Sequence, residues 1–584
     1  MITLVQDDAI STRYLEEIVR HAGLACRWRS IDQLDSSDRI IVLAGKRALG
    51  SDDRQRLVDL VTSGTALVVT GGTAGLDDLL GATATGDPAE GYLTAMDAAH
   101  PVTAGLHSRL HVFDATPLRA TSGTSLGRLT GDDAATKRGE GIVASRAGRG
   151  ATVAIGADIP WSVFHIQTGT PVHADGKPAP DGTAAIDDGI LKAEDGMVLS
   201  WEHDRIQTAT GSVPECTGID PAYPDGDTPW FAVPLADELR LLLLQAIAWA
   251  ASETGQSLAA LHEWPDGRDA VATMSHDSDL NIDASAHTTL RLLEDVGIHS
   301  TWCHMWGPNY PDRYEPGTFP KITEAGHELA FHYNAFDRDG GSWGREHFAW
   351  QADFVRNEAG VDGFVSNKNH YTRWEGQVEF YSWLIDEGIQ LDQSRGPSKK
   401  GSVGYPLGSS LPLFPMDPAS GEFIDIIELP MQFQDLSLTT PPYMATTTAE
   451  QAKRHHGVAH YLFHQYHLHS KPDVAEAFCA LIPEVRDAGL DWWTSARIND
   501  WERARREVTV TLEGDRVHIQ SQRPIEGATI NVMMPAEMSP GAVRVIHGTS
   551  ALDAECRERW NQRILSVRLG LDAGETVLRL EQTD

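Results

Sequence analysis

Hydrophobic positions fall into three different periods along the 584 residues, and the changes of period divide the chain. Up to about residue 85, short apolar runs alternate with amphipathic stretches. Ile2–Val5, Arg39–Ala44 and Thr65–Thr70 read as buried strands. Tyr14, Leu15, Ile18 and Val19 share one face of a helix that Ser11 would cap and that runs to about His21. Ser51-Asp52-Asp53 opens a second helix carrying Leu57, Leu60 and Val61. Strand–helix alternation predicts a parallel, doubly wound, flavodoxin-like sheet. Residues 158–232 lose the pattern and, rich in Gly, Pro and Asp, read as long loops. Ala236–Ala251 restores it as an apolar helix closing a first domain, 1–251, and 252–268 reads as a linker.

Between 269 and 503, apolar runs repeatedly end on polar residues. The first is Ala272-Thr273-Met274-Ser275-His276-Asp277-Ser278-Asp279, followed by a helical pattern and by Ser300–Trp306. That is strand, loop, helix, strand, with two carboxylates at the strand's carboxyl end, where catalytic groups collect in α/β barrels. Four later segments share the habit: Gly326–Asn334, closing on His332; Asn367–Gly376; Phe423–Pro430, closing on Glu428; and Val458–His464, with His467 and His469 just after. From 504 to 584 the period drops to two (Val508, Val510, Leu512; Val517, Ile519; Ile530, Val532; Ile564, Val567, Leu569), predicting a small antiparallel β-sandwich.

A carboxylate with neutral imidazoles suits zinc, and catalytic zinc sites leave one position open for water. Asp279 and His332 are the candidate ligands and His370 a candidate inward-facing group, although Asp279 is also placed to cap the following helix. Asp277 is the candidate base. His464 is the candidate acid, with His467 as rival, since amide cleavage stalls unless the nitrogen is protonated. His304 is a further candidate for the interior. Trp306, Trp343 and Trp374, in Gly-rich or polar loops, are candidates for stacking on sugar rings, whereas Trp383 reads as core.

The ordered series over about 265–500 resembles the polysaccharide deacetylases of the NodB-homology type, metal-dependent amide hydrolases on a distorted (β/α)7 barrel. The resemblance implies Asp277 as general base, Asp279 and His332 as metal ligands, Arg373 as the residue orienting the base, Glu428 as the acidic fourth motif and His464 as general acid. The family's second metal histidine would fall four residues after His332, where this chain has Phe336. Asp337 or His370 is then the substitute. Residues 1–250 resemble the class I glutamine amidotransferase-like fold, in its trehalose-utilisation-like branch. That resemblance rests on Val68–Gly81 (VVTGGTAGLDDLLG), His100–Leu106 (HPVTAGL) and the helix ADELRLLLLQAIAWA. The nucleophile-elbow cysteine of a true amidotransferase is missing, so the domain is expected to be non-catalytic.

Composition narrows the choices. With 83 acidic against 48 basic residues the net charge is −35, which excludes the basic face a nucleic-acid partner requires. Five scattered cysteines (Cys26, Cys216, Cys303, Cys479, Cys556) form neither a CxxC zinc site nor a disulfide framework. No apolar run approaches a membrane span and the N-terminus has no leader pattern, so a cytoplasmic protein is expected. Gly71-Gly72-Thr73-Ala74-Gly75 lacks the residues of a phosphate loop and reads as a tight turn. Asp187, Asp188, Glu194 and Asp195 suggest calcium but lack EF-hand spacing, and a solvated loop is favoured.

The reading is therefore a three-part α/β protein that removes an N-acyl or O-acyl group from a carbohydrate with the help of a divalent metal, zinc by its donor set. A homo-oligomer is compatible with the sequence. Two rival readings stand beside it. One is a glycoside hydrolase using Asp277 and Glu428 as a carboxylate pair; the other is a barrel that binds glycan without turnover.

Overall fold

The computed structural model describes residues 1–6, 10–46, 48–107, 109–177, 179–180, 189–206, 229–306, 313–398, 400–534 and 543–582. The chain forms a mixed α/β protein with several sheets. Five parallel strands open the first sheet, in the order Cys26–Arg29, Ile2–Val5, Ile40–Ala44, Ala66–Thr70, Gly150–Ile155. The sheet then continues antiparallel through Lys137–Ala147, Thr124–Thr130, Ala89–Ala95 and Leu110–Ala115. Strand–helix alternation predicts three of the parallel strands, Ile2–Val5, Ile40–Ala44 and Ala66–Thr70, but neither Cys26–Arg29 nor Gly150–Ile155. The antiparallel strands carry Gly127, Gly139 and Gly141 among charged residues and show no clean apolar run.

Two expectations for this region need correction. Within the stretch read as loops, Ile159–Thr168 is an α-helix: Asp158 caps it, accepting from the Trp161 backbone N–H at 3.1 Å, and Pro160 sits in its first turn. The stretch read as a linker holds a strand, Leu258–Leu261, antiparallel to Ile525–Met533. It belongs to the first of two antiparallel C-terminal sheets, with Gln562–Leu571 and Ala554–Arg559. The second sheet is Thr509–Glu513, Arg516–Ser521, Gly574–Gln582, Val543–His547 and Ser550–Leu552. One apolar cluster, including Leu261, Val517, Ile530, Val567 and Leu578, draws on both sheets. Asp187, Asp188 and Cys216 lie outside the described residues. Asp195 accepts from the backbone N–H groups of Gly176 and Lys192, and Glu194 from Ser398, so both are committed to the protein's own donors.

The central sheet is parallel throughout. Its order is Ile427–Glu428, Leu391–Asp392, Ser366–Asn369, Glu328–Tyr333, Thr301–Met305, Val271–Asp277, Val458–Leu462, Phe433–Gln434, with Asp491–Trp493 also pairing to Val271–Asp277. Among the described residues no pairing joins its two outer strands, which leaves a half-barrel. Register decides which side chains face its interior, since laterally paired residues point to the same face. Asp277 pairs with Cys303, Met305 with His332, and His332 with Lys368. Lys368 Nζ reaches across to Ser275 Oγ at 2.7 Å, which closes this inward set. His276 pairs with Trp302 and His304 with Phe331, all facing the surrounding helices instead.

Segments of the first region seat themselves on the loops of the half-barrel. Val172 and Gly376 exchange backbone hydrogen bonds at 2.9 and 2.8 Å, and the Trp374 N–H donates to the Leu191 carbonyl. Arg395 donates to the carbonyls of Gln167 and Thr168. On the other side, the Leu261 N–H donates to the Gly23 carbonyl at 3.1 Å. Gly23 has φ +72°, and a Cβ there would stand 1.8 Å from the Leu261 carbonyl oxygen. Gly23→Ala is expected to cost roughly 1–3 kcal/mol or more, read as a lowered melting temperature. An unchanged melting temperature would mean that this contact yields freely. Among the described residues no helix is long and apolar enough to cross a membrane.

Candidate functional site

The carboxyl ends of the central strands converge on one group of side chains. One oxygen of Asp279 and one nitrogen each of His332 and His370 lie within 4.8 Å of one another. His332 Nε2 is 3.5 Å from Asp279 Oδ1, and His370 Nε2 is 4.0 Å from the same oxygen. Each ring is fixed from behind. The His332 Nδ1–H donates to the Lys368 carbonyl at 2.9 Å, and the His370 Nδ1–H to Asn334 Oδ1 at 3.1 Å. Both Nε2 lone pairs are thereby left pointing at Asp279, the arrangement by which proteins orient histidine ligands. Asp279 Oδ1 and His332 Nε2 are buried atoms without a hydrogen-bond partner, an unfavourable state that a cation would relieve. The donor set, two imidazoles and one carboxylate, fits zinc with a position to spare.

Electrostatics agree with the geometry. Burial pushes His370 down to about 4, keeping it neutral, although Asp279 pulls the other way. Burial disfavours charge on Asp279, yet the protonated His464 facing it holds its carboxyl well below the usual range.

A second group adjoins the first. Asp435, fully buried, accepts from the His464 backbone N–H at 2.9 Å, from His464 Nδ1 at 2.5 Å and from His467 Nδ1 at 2.9 Å. His464 Nε2 is thus directed at Asp279 Oδ2, 3.8 Å away. Burial opposes a charge on His464, but Asp435 and Asp279 outweigh it and push it up to about 10. Asp277 sits alongside, with Oδ2 3.8 Å from His332 Nε2 and Oδ1 3.4 Å from Lys368 Nζ.

Holding these groups together requires uncomfortable backbone. Asp279 (φ 44°), Asn281 (φ 53°), Tyr371 (φ 58°), Thr372 (φ 52°) and Asp435 (φ 36°) are all left-handed. Such conformations cost about 1–3 kcal/mol each and gather where surrounding contacts impose them. One such contact is visible: Asn281 Nδ2 donates to the Met305 carbonyl at 2.7 Å.

Several residues expected at the site are elsewhere. Arg373 is bound to Glu375 and to the Ala335 carbonyl, and the cation beside Asp277 is Lys368. Asp337 is exposed; the acid behind His370 is Asp339, 3.8 Å from Nδ1. His304 faces outward because of its register, stacked on Tyr314 and 3.3 Å from Glu358. Trp306 and Trp374 are buried in an aromatic cluster, and Trp343 packs against it through Tyr333, Phe380 and Trp383. Glu428 is buried, accepting from the Tyr381 hydroxyl at 2.9 Å, and burial beside Asp392 pushes it well above the usual carboxylate range.

The mouth carries different aromatics. Tyr371 is 41% exposed, with its ring centroid 4.3 Å from His370 and 5.1 Å from Phe336, and Tyr466, 39% exposed, neighbours His467. Phe336, which stands where the resemblance calls for a histidine, is part of this rim. Lys368, Asn334, Asp435 and the rim tyrosines are absent from the sequence-level site. For Asp435 a signal exists: it too follows a strand end, Phe433–Gln434.

No family model matches the chain, and no curated protein does. Among solved structures, a protein from Mycobacterium smegmatis provisionally named a polysaccharide deacetylase is similar at TM-score 0.31 and 17% identity, over 43% of this chain and 96% of that one. A β-galactosidase from Bacillus circulans sp. alkalophilus is similar at TM-score 0.24 and 12% identity, over 27% of this chain and only 28% of the enzyme. An exo-β-1,4-mannosidase from Opitutaceae bacterium strain TAV5 follows at TM-score 0.22 and 17% identity, over 28% and 32% of the two chains.

Proposed function

We propose that this protein is a metal-dependent hydrolase that removes an acyl group, N-linked or O-linked, from a carbohydrate. The observation that carries the reading is the convergence of Asp279, His332 and His370, with Asp279 Oδ1 and His332 Nε2 buried and unpartnered, between Asp277 on one side and His464 on the other. A divalent cation held by those three residues would activate water and polarise the acyl carbonyl. Asp277 is placed to take the water's proton, and Lys368 aligns its carboxylate. His464 presents a protonated Nε2 to the same space and delivers that proton to the departing nitrogen or oxygen. Asp435 fixes its tautomer and direction. The more open side is lined by Asp279, His464 and His467, with side chains 27%, 16% and 22% exposed. Tyr371 and Tyr466 flank that side and suit the apolar faces of sugar rings.

The rival glycosidase reading, with Asp277 and Glu428 as the carboxylate pair, has less behind it. Burial raises the Glu428 carboxyl, as a glycosidase acid requires, but lateral pairing through Asp392 and Asn367 puts it on the face of Phe331, turned away from Asp277. A single assay separates the readings. Purified protein, stripped with chelator and then given Zn²⁺, is incubated with acetylated and plain oligosaccharides. Acetate released only after metal is restored is the expected result. Reducing ends released from chelated protein would favour the glycosidase. Binding without product in either state would leave a glycan-binding barrel and sink the hydrolase reading.

A further inference from the structure

The three sheet-bearing parts of the chain meet around a half-enclosed cavity of about 250 Å³ lined by a different set of residues. Its walls come from the helices Tyr14–His21 and Leu235–Glu253, the end of the helix Met444–His455, and Arg559–Asn561 beside the C-terminal sheet. Two buried arginines line it and carry open donors. Arg240 is 3% exposed, and its Nη1 has no hydrogen-bond partner. Arg559 is 6% exposed, and its Nε and Nη1 have none; its Nη2 is spent on Glu263 and the Ala22 carbonyl. The nearby carboxylates are largely committed elsewhere. Asp237 accepts from Ser409 Oγ, Ser410 N and Ser410 Oγ; Glu238 takes Arg454 and the His107 N–H; Glu263 takes Arg559 through Oε1, while its buried Oε2 has no hydrogen-bond partner. Glu558 stands exposed at the rim.

A buried charged donor left without an acceptor is costly, and here three belong to arginines that line one cavity. The field there is positive: burial together with Arg505, Arg240, Arg506 and Arg559 keeps His21 neutral. The planar guanidinium fork matches an oxyanion. The volume lies below the roughly 300–1,000 Å³ usual for drug-sized ligands, so the guest is small.

We propose that this cavity binds a small phosphate-class oxyanion, free or carried by a small phosphomonoester, held between Arg240 and Arg559. Because the ligand would touch all three parts of the chain, it would also lock them together and raise the melting temperature in proportion to its saturation.

The test uses the full chain, dialysed free of polyvalent anions. Calorimetric titration with inorganic phosphate, glycerol phosphate and acetate is compared with Arg240→Met. Expected is one saturable phosphate site per chain with a Kd below about 1 mM, loosened at least tenfold in the variant. Exclusion of glycerol phosphate would assign the free ion, and tighter binding of it the ester. Crystals soaked in selenate should give one anomalous peak between the two guanidinium groups, a result that stands even where Arg240→Met fails to fold. No saturable heat, equal affinity in the variant, preference for acetate over phosphate, or a selenate peak elsewhere would each overturn the proposal.

Discussion

Asp279→Ala combined with His332→Ala is expected to yield protein that no longer retains a divalent metal and has lost hydrolysis by on the order of a thousandfold or more. A bound cation contributes several kcal/mol of transition-state stabilisation, and each 1.36 kcal/mol is a factor of ten. The neighbouring group of Asp435, His464 and His467 is taken up by its own hydrogen bonds. Asp277 and His464 remain, but a carboxylate and a protonated histidine do not polarise a carbonyl as a cation does. His332 is wholly buried, so its loss leaves a small cavity. Its Nε2 has no partner, however, and only the Nδ1 bond to the Lys368 carbonyl is given up. The fold should therefore survive, which circular dichroism checks while elemental analysis counts the metal. Stoichiometric metal in the double variant would place the ion elsewhere. No metal in either protein, even after it is supplied, would remove the hydrolytic mechanism.

The second large effect belongs to His464. His464→Ala is expected to lower kcat by roughly 10²–10⁴ on an amide or alkyl ester, the usual contribution of a positioned general acid. An acyl ester with a nitrophenolate leaving group should lose far less, because that group departs without a proton. Asp435→Asn should fall between, with KM little changed, since Asp435 is fully buried behind His464 and His467. Equal losses on both substrates would show that His464 does something other than protonate the leaving group. Full activity of His464→Ala on the amide, with His467→Ala inactive, would transfer the role to His467.

The residues that were legible in sequence are those whose place depends on one strand only. Asp277, Asp279 and His332 each follow a short apolar run, and polar side chains just past such runs gather at one edge of a parallel sheet. His370 was legible as an alternative, and the turn at Tyr371 and Thr372 brings it to Asp279. Arg373 and Lys368 show the opposite case. Both stand in one polar stretch, and nothing local says which of them reaches Asp277. Pairing of His332 with Lys368 turns the lysine inward, while Arg373, past the strand end, is captured by Glu375 and Ala335. The tryptophans fail as site residues for a related reason. A Gly-rich or polar neighbourhood suggests a loop, but Trp306 and Trp374 fold back into the aromatic cluster.

By itself, the sequence determined the alternation that builds the parallel strands, the long apolar helix 235–253, the period-two pairing near the C-terminus and the identity of two metal-ligand candidates with their neighbouring base. These follow from local periodicity and from polar residues at strand ends, which need no knowledge of partners. Only the tertiary structure decided that 258–261 completes a C-terminal sheet, that Asp435 stands behind His464, that Lys368 stands beside Asp277, and that arginines from distant parts of the chain share one cavity. Each of these is set by lateral register or by contact between segments separated by tens to hundreds of residues, and no local pattern encodes that.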